Sequence, residues 1–212
     1  THAYSSDAAY AMVTKAPVVI KNGKFTATAA RAIYAQDTLT ICEKAEINSD
    51  LTGGHATVCF AGKDKTLTIT DSIITGAYAV MNGAENATVT ISDSVLHGTV
   101  CGLYHNGSYA GLNLTVNNTT IIGGAEEPSE ANLEATGVYI SGSTATAERG
   151  GMQKATFTNC TIKGGTGVEV KYTDLKLVDC EVASTYNGTP SYEQNNNGAT
   201  TIGAAVISSD NT

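Results

Sequence analysis

The sequence is poor in aromatic and basic residues. Its 212 residues include no Trp, 3 Phe and 12 Lys and Arg against 20 Asp and Glu, so the formal net charge is −8. Nucleic-acid binding needs Lys and Arg clustered against phosphates, and this acidic balance argues against it. Few aromatic residues, with abundant Gly, Ala and Thr, suit a narrow rod with a thin core. The length corresponds to one domain.

Several other features are missing. No apolar run is long enough to span a membrane, and no signal peptide is visible. No CxxC or Cys/His ligand spacing occurs, so we predict neither a zinc site nor a cofactor. The five cysteines are an odd number. Cys160 and Cys180 hold the same position in adjacent repeats, and we expect stacked thiols there, with a disulfide as the alternative.

What the chain does contain is a recurring apolar–Thr–apolar phrase, as in Leu67-Thr68-Ile69. The third residue of each copy serves as an anchor, and the anchors are Ile20, Ile41, Ile69, Ile91, Val116, Phe157 and Leu177. They are separated by 21, 28, 22, 25, 41 and 20 residues. A strand phrase with a period near 20 indicates a solenoid whose rungs stack along one axis.

Each rung contains two further strand-like pieces. The second centres on an apolar residue about five positions after the anchor: Phe25, Ile47, Ile74, Leu96, Ile121, Ile162 and Val182. The third is a small residue followed by a branched apolar one, as in Ala79-Val80. A polar corner such as Asp93-Ser94 separates the first two pieces, and Asn and Asp suit such corners because they tolerate left-handed backbone. We therefore predict an all-β, single-stranded parallel β-helix of about seven rungs, right-handed like most parallel crossovers.

With these repeats, residues 16–209 resemble the right-handed β-helix proteins of the pectin-lyase-like superfamily, particularly bacterial extracellular or cell-surface members. The resemblance rests on rung period and column chemistry and not on a catalytic motif. It implies a fold that carries lyases, glycoside hydrolases, glycan-binding modules and adhesins, so the fold does not choose among functions. We expect residues 1–212 to form a single β-helix domain. Because the chain begins and stops in mid-rung, we expect this domain to be a fragment of a longer surface protein, or short loops to cap its ends.

One candidate ligand surface is the column formed by the residue that comes directly after the branched apolar residue of each third piece. This column contains Tyr34, Cys59, Met81, Tyr104, Tyr139 and Glu169. Tyrosines on one outward column offer sugar rings an apolar platform with polar tips. The alternative is a ladder across rungs that only stabilises the sheet.

A second candidate is a notch between two long loops that leave the same corner of rungs five and seven. We expect its walls to carry Glu126, Glu127, Glu130, Glu134, Tyr186, Tyr192 and Glu193, and its floor Lys163, Glu169 and Lys171. Loops on a rigid scaffold often carry binding groups. The alternative is that these loops are solvated decorations.

The sequence supports an enzymatic function less well than a ligand-binding one. Pectate-type lyases of the superfamily use calcium-holding carboxylates and an Arg base, whereas Arg occurs here only at positions 31 and 149, and no Asp cluster follows one strand column. The outward Thr face resembles ice-binding arrays, but Asn113 and Lys154 interrupt it, and Thr is ordinary on exposed strands.

We therefore predict a non-catalytic, extracellular bacterial module that binds glycans or a host or matrix surface, possesses no metal site, and self-associates end to end or side by side. The alternatives are a polysaccharide lyase or hydrolase, whose carboxylates would come from the Glu126–Glu134 loop and Glu169, and a structural spacer.

Overall fold

The chain forms an all-β parallel solenoid of about seven turns, as the repeat predicts. The computed structural model describes residues 10–53, 55–189, 191–195 and 198–209. Every complete rung supplies one strand to each of three rows, and like positions of successive rungs pair in parallel. Among the described residues, no helix is long and apolar enough to cross a membrane.

The apolar–Thr–apolar phrases form the first row, a seven-stranded parallel sheet. Its strands are β2 (Val18–Lys21), β5 (Leu39–Cys42), β8 (Thr66–Thr70), β10 (Thr88–Ser92), β12 (Asn113–Asn117), β15 (Gln153–Thr158) and β18 (Thr173–Val178). Ile69 pairs with Ile41 and Ile91, and Ile91 pairs with Val116, so the anchors stack in the predicted column. The alternation also holds, because Ile69 and Ile91 are fully buried while the neighbouring Thr side chains are half-buried on the outer side.

The second and third rows belong to one thirteen-stranded sheet. The second row comprises β3 (Lys24–Ala27), β6 (Glu46–Ser49), β13 (Thr120–Gly123), β16 (Thr161–Gly164), β19 (Glu181–Ser184) and the first halves of β9 (Ile73–Asn82) and β11 (Val95–His105). The third row comprises β1 (Tyr10–Thr14), β4 (Arg31–Ala35), β7 (Ala56–Phe60), β14 (Thr136–Ile140), β17 (Thr166–Lys171), β22 (Val206–Ser209) and the second halves of β9 and β11. These two long strands cross the corner without a break and join the rows.

Glycine permits that sharp crossing in β11. The pairing with β9 shifts register between Gly98 and Cys101, and a Cβ atom at Gly98 would collide with the Cys101 carbonyl group. Only glycine, which has no side chain, therefore fits at position 98.

The polar corner between the first two rows has one conformation from rung to rung. Its residues adopt positive φ angles of 44° to 52° at Asp71, Asp93, Asn118, Asn159 and Asp179. Amide groups link the stacked corners, since Asn118 Nδ2 donates to Asp93 Oδ1 at 3.2 Å and Asn159 Nδ2 to Asn118 Oδ1 at 3.4 Å. Asn and Asp are the side chains that best tolerate this backbone, which explains their recurrence. In rung two, where the corner is one residue longer, Glu43 and Lys44 both have positive φ.

The residue after each corner turns its side chain back onto the backbone. The Ser94 hydroxyl donates to the Ser92 carbonyl, and the Cys160 and Cys180 thiols contact the carbonyls of Thr158 and Val178 in the same way. Both cysteines are free thiols, as expected, and Cys160 is buried.

A thin apolar core fills the rod. Its largest fully buried side chains are Phe60, Phe157, Ile33, Leu39, Ile41, Ile47, Leu67, Ile69, Ile74, Ile91, Leu96 and Leu114. Each such side chain contributes roughly 1.5–3 kcal/mol through burial, and the columns repeat that contribution along the axis.

One polar group interrupts this core at the corner that closes rung four. His105 is buried, its Nε2 donates to the Tyr109 carbonyl at 2.9 Å, and its Nδ1 accepts from Asn82 Nδ2 at 2.9 Å. Gln153 donates to the same Tyr109 carbonyl and accepts from the Leu112 amide. Burial lowers the pKa of His105 to about 4, so the imidazole is neutral in the fold.

The repeat did not predict three short elements. A 3-10 helix, η1 (Glu130–Asn132), lies in the rung-five loop. A short α-helix, α1 (Thr144–Gly150), is capped where the Ser143 hydroxyl accepts from the Thr146 amide. An antiparallel hairpin of β20 (Ser191–Asn195) and β21 (Gly198–Ile202) lies in the rung-seven loop. Each lies in a loop between consecutive strands of the solenoid, where the repeat makes no prediction.

Candidate ligand-binding face

Tyrosines cluster on the outer side of the third row. The predicted column forms in register, and its members run in the order Val13, Tyr34, Cys59, Met81, Tyr104, Tyr139, Glu169 and Ile207. Tyr10 and Tyr78 also join this column. Each lies two residues before the inward-facing apolar residue of the third-row strand in its rung. We call the set Tyr10, Tyr34, Tyr78, Tyr104 and Tyr139 the tyrosine face.

The rings of the tyrosine face contact one another. The Tyr104 and Tyr139 rings are nearly parallel, with centroids 5.5 Å apart and an interplanar angle of 9°. Tyr78 meets Tyr104 edge to face at 5.6 Å, and Tyr10 meets Tyr34 at 4.9 Å. Such pairs contribute about 0.5–1.5 kcal/mol each beyond the burial of area, so the face also stabilises the stack of rungs.

A small apolar floor supports these rings. Ala56, Cys59 and Met81 are buried on the outside of the solenoid, and Tyr34, Tyr78 and Tyr104 pack over them. The five tyrosines are themselves only half-buried. Desolvation raises the pKa of Tyr78 and of Tyr104 to about 12, so their hydroxyl groups stay neutral. The face therefore combines apolar ring surface with hydroxyl groups that both donate and accept.

A buried arginine holds one end of the face. Arg31 Nη1 donates to the Tyr10 hydroxyl at 2.6 Å, and its Nη2 lies 2.8 Å from His55 Nδ1. The guanidinium carbon also lies 5.2 Å from the Tyr10 ring centroid. Burial, and secondarily the Arg31 charge, lowers the pKa of His55. The repeat pattern did not predict that Arg31, Tyr10, His55 or Tyr78 belong to this site.

Two buried charges lie at the other end. Glu169 is next to Tyr139 in the column, and its Oε1 is 3.8 Å from Lys171 Nζ. Lys171 Nζ in turn lies 5.5 Å from the Tyr139 ring centroid. Desolvation raises the pKa of Glu169 to about 7 and lowers that of Lys171, because both side chains are almost fully buried.

The rung-five loop fills the space where the notch was expected. Asn132 is buried and its Nδ2 donates to Thr185 Oγ1 at 2.9 Å, while the Ser129 amide donates to the Thr185 carbonyl. Because Thr185 belongs to rung seven, the loop spans rung six and rests on it; a Cβ atom at Gly165 would collide with the Asn132 carbonyl. The described loops thus pack together instead of standing apart as two walls.

The predicted loop residues are therefore spread over an exposed surface. Glu126, Glu127, Glu130 and Glu134 are exposed, and Glu126 Oε1 lies 3.9 Å from His97 Nδ1. Tyr186 is half-buried and folds back against Gly188, while Lys163 projects from β16. Tyr192 and Glu193 lie in β20, and their side chains are outside the described structure. Among the predicted site residues whose side chains the structure describes, those that come together on one face are Tyr34, Tyr104, Tyr139, Glu169 and Lys171.

Metal binding has no evident site in the described part of the chain, where no group of three or more His, Cys, Asp or Glu residues is arranged to hold an ion. Comparison with known proteins adds no function: no protein-family model, curated protein or solved structure matches the chain.

Proposed function

We propose that this protein is an extracellular bacterial module of the pectin-lyase-like superfamily that binds uncharged glycans, or surface glycoproteins carrying them, without catalysis. The observation that carries the proposal is the tyrosine face. Five half-buried tyrosines on one side of the rod offer apolar ring surface and neutral hydroxyl groups along the solenoid axis. A sugar ring has the matching character, with C–H groups on its faces and hydroxyl groups around its rim.

The charges around the face favour an uncharged ligand. Its one arginine is buried and bonded to Tyr10 and His55, and Lys171 is buried beside Glu169. No cluster of exposed cations is present among the described residues of the face, and the protein carries a net charge of −8. An anionic polysaccharide would therefore meet repulsion without compensating ion pairs.

Binding to a panel of immobilised neutral glycans tests the proposal. Tyr104→Ala and Tyr139→Ala should each weaken binding of the captured glycan at least tenfold, while Thr90→Ala on the opposite, first-row surface should leave it unchanged. Thermal unfolding of each variant separates lost binding from lost folding. Absence of binding by the folded wild type would contradict the proposal and favour the spacer function.

A polysaccharide-cleaving enzyme is the second candidate, and one observation favours it. A carboxyl group with a pKa of about 7 beside an aromatic face is suited to general acid catalysis near neutral pH. Turnover of a polysaccharide that disappears in Glu169→Gln would establish this activity and exclude the non-catalytic proposal.

A further inference from the structure

A separate cleft opens beside rungs three and four. Rungs three and four pass from the second to the third row within the continuous strands β9 and β11, whereas rungs two and five leave that corner in longer loops. The cleft has a volume of about 270 Å³. The lining residues that matter for binding are Asn48, Asp50, Leu51, Thr75, His97 and Thr99.

His97 is held in the cleft by a hydrogen bond to the rung-five loop. Its Nε2 lies 2.8 Å from the Gly124 carbonyl oxygen, which only accepts hydrogen bonds, so Nε2 carries the proton. When the imidazole is neutral and Nε2 is protonated, Nδ1 is a hydrogen-bond acceptor. Glu126 Oε1 lies 3.9 Å from Nδ1, which is beyond hydrogen-bond distance. The rung-five loop thus fixes the ring and leaves Nδ1 able to bind a ligand donor.

The other polar groups supply both donors and acceptors. Thr75 Oγ1 donates to Asn48 Oδ1 at 2.7 Å, which orients the Asn48 amide. Asp50 Oδ1 accepts from the Ala29 amide at 2.6 Å, which holds the carboxylate at the rim. Thr99 is exposed and adds a hydroxyl group, and Leu51 adds an apolar contact.

The donors and acceptors that line the cleft favour one class of ligand. No Lys or Arg lines the cleft, so a phosphate or carboxylate ligand would have no cation to pair with. A simple ammonium ion only donates and would leave the Asn48 amide unmatched. Hydroxyl groups donate and accept, and a sugar ring carries several of them around an apolar body.

We propose that this cleft binds one uncharged sugar ring, with His97 Nδ1 accepting from one hydroxyl group and Asn48, Asp50 and Thr99 bonding the others. The site is distinct from the tyrosine face, and its ligand class follows from its own side chains. The proposal of this cleft site can therefore be tested independently of the function proposed above.

Titration of the intact protein with glucose, galactose and mannose, followed by NMR of the histidine imidazole resonances, tests the site. At least one sugar should shift the His97 resonances saturably and leave those of buried His105 unchanged. Thr99→Tyr, which fills the cleft, should abolish the shift, and Thr99→Val should weaken binding by about fivefold through loss of one hydrogen bond.

Two controls locate the effect. Thr90→Val on the first-row surface and Tyr139→Ala on the tyrosine face should both keep wild-type sugar affinity at His97. Loss of the shift in Tyr139→Ala would assign the ligand to the tyrosine face and overturn the cleft proposal. The proposal also fails if no sugar shifts His97, if the shift persists in folded Thr99→Tyr, or if inorganic phosphate or methylammonium binds more tightly than every sugar.

Discussion

At the scale of the residue, Glu169 is held in an environment that favours its neutral form. Its side chain is buried between the Tyr139 and Ile207 positions of the column, with Lys171 as its charged neighbour. Desolvation outweighs the attraction of Lys171, so the pKa rises from 4.5 to about 7. The folded state therefore binds a proton that the unfolded chain releases above pH 4.5.

Glu169→Gln should reveal this proton. Stability due to the neutral carboxyl group is fully present below pH 4.5 and is lost as the pH rises through about 7. The variant should match the wild type at pH 4.5 and exceed its unfolding free energy by about 2 kcal/mol at pH 8.5. Urea titrations at the two pH values measure the difference. A wild type that is more stable than the variant at pH 8.5 would mean that the ion pair with Lys171 dominates.

His105 has the opposite dependence. Its pKa falls from 6.5 to about 4 in the folded protein. Between these two pH values, the imidazole is protonated in the unfolded chain and neutral in the folded core. The contribution of the neutral imidazole is fully present above pH 6.5 and is lost as the pH falls towards 4.

Compared with His105→Gln, the wild type should lose about 3 kcal/mol more unfolding free energy between pH 7 and pH 4. Guanidinium titrations at several pH values give this difference. His55→Gln is a matched control, because that imidazole is partly exposed and should show a smaller change. Equal acid sensitivity of the wild type and His105→Gln would disprove the assignment.

At the scale of the element, one asparagine organises the rung-five loop. Asn132 Oδ1 accepts from the Ala125 amide, and Nδ2 contacts the Ala125, Glu127 and Thr185 carbonyls as well as Thr185 Oγ1. Because the side chain is buried, these backbone groups have no ready replacement in water.

Asn132→Ala should therefore destabilise the protein by about 2 kcal/mol and release the loop locally. Amide hydrogen exchange should accelerate at Ala125 and Ser129 but not at Ile121, within β13. Glu130→Ala, an exposed change in η1 of the same loop, should alter exchange little. Unchanged exchange at Ala125 in Asn132→Ala would contradict the role given to this side chain.

At the scale of the whole molecule, stability is distributed along columns of like residues. Ile91 pairs with Ile69 on one side and Val116 on the other, and all three are fully buried. A cavity at a central rung removes contacts to both neighbours, and a solenoid has no other layer that can fill it.

Ile91→Ala should cost about 2–5 kcal/mol, whereas Val19→Ala in the same sheet should cost less than about 0.5 kcal/mol, because Val19 is 57% exposed. Chemical denaturation of both variants provides the comparison. Similar losses in the two would show that the columns do not form the core.

Much of this architecture follows from short-range patterns in the chain. The anchors, the second pieces and the third pieces pair as their spacing predicts, including the one-residue shift that places Ile47 between Phe25 and Ile74. The column of Tyr34, Tyr104 and Tyr139 was also predictable, because alternation along a strand decides which side chains point outward. Arg31 and Tyr78 were missed because simple alternation, which puts Ile33 and Val80 inside, would place both side chains inside as well.

The solenoid, its rung register and the outward positions of Tyr34, Tyr104 and Tyr139 follow from the sequence alone, because each depends on a repeat that is visible within about 20 residues. Only the tertiary structure decided where the loops lie. The hydrogen bonds of Asn132 to Thr185 draw the rung-five loop over rung six, and the continuous strands of rungs three and four open a cleft at His97 instead. Such placement depends on contacts between residues 27 to 53 positions apart, and no local pattern encodes them.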